Sequence, residues 1–298
     1  MQLADPAATK FVGSHGSSAE AFEFVKSLAV ELSSNKIELP SFPDIAMRVQ
    51  RVLADDSVTP DRVVRVIGGE PALAAKLMSM ANSAALNPSG RQIGDIKNAV
   101  ARLGFDMIRS AAMTFAMAQL RKADQFKGIE KQLNLLWHRS VTVAALSFVI
   151  AKHSAKVSAD AAMLTGLLHN VGRLYILTRA SKFPHLFGDT AAYNTIVRDW
   201  HANIAKALLE NWQIADEIVE AVHGYEDPER EFRDTAYLTD VLAASTLFAS
   251  FKDQPDVLEL NLQNCKATQR LGLDRAAFEK ILIESTHEMT ALREALGS

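Results

Sequence analysis

The chain has 298 residues, 48% of them apolar, so it is long enough to bury a core as one large domain or two small ones. Its 32 basic and 35 acidic residues give a net charge of −3, which provides no electrostatic reason to expect nonspecific binding to nucleic acid or to an anionic membrane. Cys265 is the single cysteine, which excludes an intrachain disulfide and a cysteine-based metal cage and fits a reducing compartment.

The first half of the chain is predicted to form short helices with short connections. Residues 1–17 are expected to be a loose tail without the pattern of a signal peptide, and a capping box at Ser17 and Glu20 predicts a helix that runs to about Ser33. Prolines, caps and glycines predict the next helices at about 45–53, 60–67, 71–81, 96–103 and 105–120. Apolar stretches such as Ala111–Ala118 are too short to span a bilayer, so we expect a cytoplasmic protein without membrane contact.

The second half is predicted to contain longer helices. They are placed at about residues 131–153, 159–168 with an extension to 178, 204–212, 216–222 and 235–251, followed by two or three helices within 258–296. Residues 183–188 are expected to be a loop, Asp274 is expected to cap the helix that follows it, and Leu135 is expected to face the core. No stretch shows the period of two that is typical of a half-buried strand, so the chain is predicted to be all-α.

Two polar residues, His169 and Asn170, interrupt an otherwise apolar stretch that continues into Val171 and Gly172. Residue types alone favour a purely structural role, in which His169 is a hydrogen-bonded histidine of the core. The interpretation changes when the pair is considered together with the motifs that surround it in the chain.

These motifs occur in a definite order. They are LPSFP at 39–43, EPALAAKL at 70–77, MANSA at 80–84, RLG at 102–104, LWHRS at 136–140, GLLHNVGR at 166–173, DWHA at 199–202, LLENW at 208–212 and IVEAV at 218–222. No single motif is specific, but the ordered set resembles the HDOD family, a helical domain related to HD-type metal phosphohydrolases. The resemblance extends over about residues 36–240.

The resemblance implies an all-α fold, namely a multi-helix HD-like domain with an N-terminal helical subdomain and a C-terminal helical extension. We therefore divide the chain into an N-terminal tail and helix at 1–35, the HDOD domain at 36–240 and the extension at 241–298. Within the domain, residues 36–128 would form the N-terminal helical half and residues 129–240 the degenerate HD-like half.

The resemblance also implies a changed metal site. HD-type enzymes hold one or two metal ions with histidines and aspartates, and the metal generates hydroxide from water near neutral pH. Here the His-Asp pair of the family is replaced by His169-Asn170, and an amide oxygen carries no charge to offset a cation. Arg139 stands where the family has a histidine, while His138 is one residue early and therefore turned by about 100°. The alternative for Arg139 is a side chain that simply faces solvent.

Further along, the family's run of histidines before Asp-Pro is replaced by Gly224, Tyr225 and Glu226. The remaining candidate metal ligands are His169, His201 and Asp240, since Asp240 resembles the last aspartate of an HD site. The predicted remnant pocket consists of Arg139, His169, Asn170, Arg173, His201 and Asp240. No catalytic residue is assigned, and no cofactor is expected beyond a weakly held divalent metal. The alternative is a hydrogen-bonded network of these polar groups across the helical core.

The resemblance implies a bacterial signal-transduction module without catalysis of its own. Its partners would be signalling proteins such as a kinase, a receiver or a cyclic-dinucleotide enzyme supplied in trans, and no nucleic-acid partner is expected. One alternative is a divalent-metal-dependent phosphohydrolase with an altered site. Another is a domain that senses a nucleotide or cyclic dinucleotide without turnover, in which Arg139 or Arg173 would pair with a phosphate. The sequence leaves the oligomeric state open.

Overall fold

The computed structural model of the protein describes residues 6–34, 37–39, 42–87, 89–154, 156–227, 230 and 237–297, and these ranges contain helices and turns but no β-strand. The helices are α1 Pro6–Ser33, α2 Asp44–Leu53, α3 Pro60–Gly68, α4 Pro71–Ala81, α5 Ile96–Arg121, α6 Glu130–Ser154, α7 Ala159–Leu168, α8 Val171–Ala180, α9 Pro184–Gly188, α10 Thr190–Asn211, α11 Asp216–Gly224, α12 Tyr237–Phe251, α13 Pro255–Asn264, α14 Lys266–Arg270 and α15 Arg275–Leu296. A short 3-10 turn, Asp124–Phe126, connects α5 to α6. The prediction of an all-α fold is confirmed.

Local signals in the sequence determine several helix ends. The Thr59 hydroxyl accepts a hydrogen bond from the backbone N–H of Arg62, and α3 begins at the proline that follows Thr59. Asp274 accepts a hydrogen bond from the backbone N–H of Ala277 at 2.7 Å, which caps α15 as predicted. Gly104 has a φ of 74° and interrupts α5 at the point where the sequence predicts a break between two helices.

Two helices begin earlier than predicted. The start of α1 at Ser17 is wrong, because the helix begins at Pro6, a residue type that fits the first helical position. The start of α10 near residue 204 is also wrong, because the helix begins at Thr190. The Asp189 side chain supplies the cap there, since it accepts hydrogen bonds from the backbone N–H groups of Ala191 and Ala192.

The loop predicted at residues 183–188 is instead the short helix α9. Its cap comes from a distant part of the chain, because the Glu20 carboxylate on α1 accepts hydrogen bonds from the backbone N–H groups of His185 and Leu186 at 2.8 and 2.9 Å. The predicted extension of the helix over 159–168 is present as a separate helix, α8. The His169-Asn170 turn lies between α7 and α8.

The central helix of the core is α6, which packs against α7, α12 and α15. It is long and apolar enough to cross a membrane by length and composition, but 67% of its most apolar segment is buried by the surrounding helices, as is typical of a core helix. The prediction that Leu135 faces this core is wrong, since Leu135 is 62% exposed. The buried stripe of α6 includes Leu133 and Trp137, and residues two positions apart on a helix face different directions.

Both ends of the chain pack onto the same core. Phe24 and Leu28 of α1 are fully buried, and the Glu31 carboxylate of α1 pairs with Arg179 and accepts a hydrogen bond from the Tyr175 hydroxyl, both on α8. At the other end, the Trp137 indole donates a hydrogen bond to the carbonyl of Gly297 at 3.1 Å. Residues outside the predicted HDOD domain are therefore part of the same packed structure.

Two glycines allow helices to approach closely. A Cβ atom at Gly166 would lie 2.7 Å from Cα of Ala144, so α7 lies directly against the backbone of α6. A Cβ atom at Gly172 would overlap the backbone carbonyl oxygen of His201, so α8 lies directly against α10. Neither neighbouring group is a flexible side chain, which means that the helices themselves would have to move to admit a methyl group.

We predict that Gly172→Ala lowers the free energy of unfolding by about 2 kcal/mol or more, because two helix backbones in contact can accommodate an added methyl group only by moving apart. The matched control is Gly68→Ala, since no atom lies within 4 Å of the position that the new Cβ would occupy. Urea unfolding of both variants measures the difference. Equal stabilities for the two variants would contradict the close contact between α8 and α10.

Candidate functional site

The His169-Asn170 turn lies inside the protein at the junction of α7 and α8. His169 is only 1% exposed, and its Nδ1 atom lies 2.6 Å from the backbone carbonyl oxygen of Gly166. A carbonyl oxygen can only accept, so the ring carries its proton on Nδ1 and presents a lone pair on Nε2. Within the described part of the chain, Nε2 is buried and has no hydrogen-bond partner. The ring of Tyr225 packs edge-on against His169 with centroids 6.0 Å apart.

Burial keeps His169 neutral. It lowers the pKa of His169 to about 3 and outweighs the hydrogen bond from the ring to Gly166, which acts in the opposite direction. The positive charges of Arg139 and Arg173 lower this pKa further. His169 is therefore an uncharged imidazole at physiological pH.

Asn170 connects two helices. Its amide group donates a hydrogen bond to the Ser140 hydroxyl on α6 at 3.3 Å, and the residue is 3% exposed. Its amide oxygen is buried without a hydrogen-bond partner among the described residues. This contact agrees with the alternative in which the polar groups of the predicted pocket form hydrogen bonds across the helical core.

Glu226, just after α11, is the centre of a polar cluster. One guanidinium nitrogen of Arg173, Nη2, lies 2.7 and 3.0 Å from the two carboxylate oxygens of Glu226. The Nε2 atom of His201 lies 2.9 Å from the Glu226 carboxylate, and the Tyr225 hydroxyl donates to it at 2.6 Å. Burial acts to raise the pKa of Glu226, but the hydrogen bonds from His201 and Tyr225 and the charge of Arg173 hold it well below its usual range.

Asp240 is held separately by two arginines. It is 1% exposed, and its two carboxylate oxygens lie 2.5 Å from Nη2 of Arg230 and 2.7 Å from Nε of Arg270. Both guanidinium groups remain charged at any pH that the protein experiences, so the carboxylate is fully compensated. Arg270 belongs to α14, which connects the C-terminal extension to the predicted pocket.

Arg139 lies at the surface and donates a hydrogen bond to the Ser250 hydroxyl of α12 at 2.9 Å. This position agrees with the interpretation in which its side chain faces solvent. The structure thus brings His201 and Arg173 together and places His169 beside Tyr225. It gives Asn170, Asp240 and Arg139 other partners.

These donors do not fit the metal centre of an HD-type enzyme. No group of three histidine, cysteine, aspartate or glutamate side chains in the described ranges is arranged to hold a metal ion. Asp240 is occupied by two arginines, and Nε2 of His201 faces both Glu226 and Arg173. The uncharged His169 and Asn170 would have to bind a cation without a free carboxylate, next to two arginines whose charges act on His169.

The comparison with known proteins identifies the family. The HDOD domain profile matches residues 39–228, which is well over half of the chain and lies within the range predicted for the domain. The chain belongs to the HDOD domain family. A crystal structure from Shewanella amazonensis, named as a candidate metal-dependent phosphohydrolase, is 26% identical to this HDOD protein, covers 93% of this chain and 99% of its own, and superimposes with a TM-score of 0.72.

Two further relatives are more distant. An HDOD domain protein of unknown function from Geobacter sulfurreducens shares the fold at 24% identity, with a TM-score of 0.62 and coverage of 91% of this chain and 96% of its own. An uncharacterized protein from Treponema pallidum is 21% identical over 208 residues. That match takes in 65% of this chain but only 39% of the Treponema protein, so the chain spans about two fifths of that relative.

Sequence reasoning missed three of the residues that shape this site. Glu226 was recognised only as the loss of a family histidine, whereas the structure makes it the acceptor for Arg173, His201 and Tyr225. Arg230 and Arg270, the partners of Asp240, were not identified. The only usable signal for Arg230 and Arg270 would have been that a buried aspartate requires a cation nearby.

We predict that His169 makes the stability of the protein depend on pH. Its pKa in the folded state lies below its ordinary value of 6.5, so the unfolded chain binds a proton at this residue more readily than the folded protein does. The contribution of His169 to the free energy of unfolding is therefore complete above pH 6.5 and is lost as the pH falls toward 3. Between pH 7 and pH 5 this loss amounts to about 2 kcal/mol.

The test compares the wild type with His169→Asn, which retains a hydrogen-bond donor near the position of Nδ1. Denaturant unfolding at several pH values should show that the advantage of the wild type over the variant shrinks by that amount as the pH falls. His138→Asn, at an exposed position, serves as the control and should follow the wild type. Parallel pH profiles for the wild type and His169→Asn would mean that His169 is not held neutral by burial.

Proposed function

We propose that this HDOD protein is a non-catalytic module of bacterial signal transduction, which acts in the cytoplasm by binding other proteins. The proposed partners are signalling proteins such as a kinase, a receiver or a cyclic-dinucleotide enzyme. Membership of the HDOD family and the departure of the site from a metal centre support this proposal.

The observation that carries the proposal is the pairing of Asp240 with Arg230 and Arg270. To serve as a metal ligand, Asp240 would have to give up two charge-assisted hydrogen bonds and leave two partly buried guanidinium groups without their carboxylate. Breaking a buried ion pair in this way costs several kcal/mol, about 3–5 in measured cases. The arginines therefore oppose metal binding at the one buried aspartate of the predicted ligand set.

A second candidate is a metal-dependent phosphohydrolase with an altered site. The specific observation in its favour is Nε2 of His169, which is buried, deprotonated and without a hydrogen-bond partner in the described residues. A neutral imidazole nitrogen is the form that binds a metal. The name of the Shewanella amazonensis relative points in the same direction.

Metal content separates these two candidates. We expect protein purified without chelator to contain metal far below one ion per chain, and Mn²⁺ titrated by calorimetry to show no saturable site, because the ligand set lacks a free carboxylate. The variants to compare are His169→Ala and the exposed control His138→Ala. One equivalent of metal that is retained by the wild type and His138→Ala but lost by His169→Ala would favour the phosphohydrolase.

Affinity capture tests the partner directly. We expect the tagged full chain to enrich a kinase, a receiver-domain protein or a cyclic-dinucleotide enzyme from a lysate of the native host, and the purified pair to form a complex in gel filtration. Thermal unfolding with a panel of nucleotides provides the contrasting readout, since a ligand of the folded state raises the melting temperature. A nucleotide that stabilises the protein, together with no enriched signalling protein, would contradict the proposal and favour nucleotide sensing.

A further inference from the structure

A groove beside the polar cluster is formed by α6, α8, α9 and α10. It encloses a cavity of about 400 Å³. Its walls are mainly apolar side chains: Leu136, Leu177, Phe187 and Val197. Leu135 also lines the groove and is 62% exposed, which explains why a large apolar side chain of α6 points away from the core.

The groove also contains polar side chains that are available to hydrogen-bond to a ligand. Gln132, Tyr193 and Asn194 line it, and none of the three side chains hydrogen-bonds to a protein group in the described part of the chain. Apolar walls with a few polar groups that lack protein partners are the typical lining of a small-molecule site, whose volume is commonly about 300–1,000 Å³.

Arg173 is the single charged residue of the groove lining. Its hydrogen bonds to Glu226 and its contact with His201 all use one nitrogen, Nη2. Within the described residues, no hydrogen bond runs from Nε or Nη1 to a protein group, although the Tyr225 hydroxyl also interacts with the guanidinium group. Burial raises the pKa of Tyr193, another residue of the lining, and the charge of Arg173 acts in the opposite direction, with a result of about 12.

We propose that this groove binds an amphipathic organic anion, with one anionic group at Nε and Nη1 of Arg173 and an apolar body against Leu136, Leu177 and Val197. A single cation in the lining matches a single anionic group, whereas a cyclic dinucleotide or a nucleoside triphosphate would bring phosphates that no other lining residue neutralises. The proposal concerns a site next to the remnant metal pocket and does not depend on the proposed function.

The probes are octanoate, octyl phosphate and 1-octanol, titrated into the full chain by isothermal calorimetry. We expect at least one of the two anions to bind with one site per chain and at least about tenfold more tightly than 1-octanol, since a hydrogen bond to a charged group contributes that much. Comparison of octanoate with octyl phosphate shows which anionic group the site prefers. No anion binding at millimolar concentrations, or equal binding of anions and 1-octanol, would overturn the proposal.

Two pairs of variants locate the site. Leu135→Glu places a negative charge on the groove, and its control is Leu260→Glu on α13, where the leucine is 61% exposed compared with 62% for Leu135. Arg173→Gln removes the cation, and its control is Arg139→Gln at the surface. We expect each groove variant, and neither control, to weaken anion binding by about tenfold or more.

Leu135→Glu decides the test if Arg173→Gln fails to fold, because Leu135 is exposed and its replacement leaves the core unchanged. Unchanged anion affinity in Leu135→Glu, or equal losses in Leu135→Glu and Leu260→Glu, would show that the anion does not occupy this groove.

Discussion

The contact between α8 and α10 at Gly172 determines most of the functional geometry. Because Gly172 has no side chain, its backbone lies against the carbonyl of His201 itself. Arg173 follows Gly172 in the chain, so the same contact places a guanidinium group beside the His201 ring, where Glu226 joins both. The two helices also form walls of the groove on the other side of Arg173. A side chain at position 172 would push α8 and α10 apart and would separate these groups, even though none of them had been replaced.

Electrostatics explains why the pocket is stable with these residues. A buried carboxylate requires a positive partner, and in a metal enzyme the ion supplies that charge. Here the chain supplies it at Asp240 with Arg230 and Arg270, and Arg173 pairs with the half-exposed Glu226. Guanidinium groups cannot lose their proton, and burial opposes protonation of His169. In the described residues, Asp240 and Glu226 are thus paired with arginines of the chain itself.

Much of this architecture could be predicted from the sequence, but only where the information is local. The caps at Thr59 and Asp274, the break at Gly104 and the ordered family motifs all reside in short segments. The cap of α9 was missed because its acceptor, Glu20, lies on α1. The partners of Asp240 and the central position of Glu226 were missed for the same reason. Helical periodicity predicts that Leu135 faces the core, and it cannot show that this side chain lines a groove instead.

Arg173 belongs both to the polar cluster around Glu226 and to the lining of the groove. Glu226 is about half exposed just after α11, and Arg173, which pairs with it, also lines the groove. If a ligand in the groove draws on Arg173, it weakens or reorients the bond to Glu226, and anything that binds at Glu226 changes the affinity of the groove by the same factor. This reciprocity requires only that the two sites share one side chain. Binding of a small anion in the proposed groove would thus be linked to the state of Glu226 at the surface.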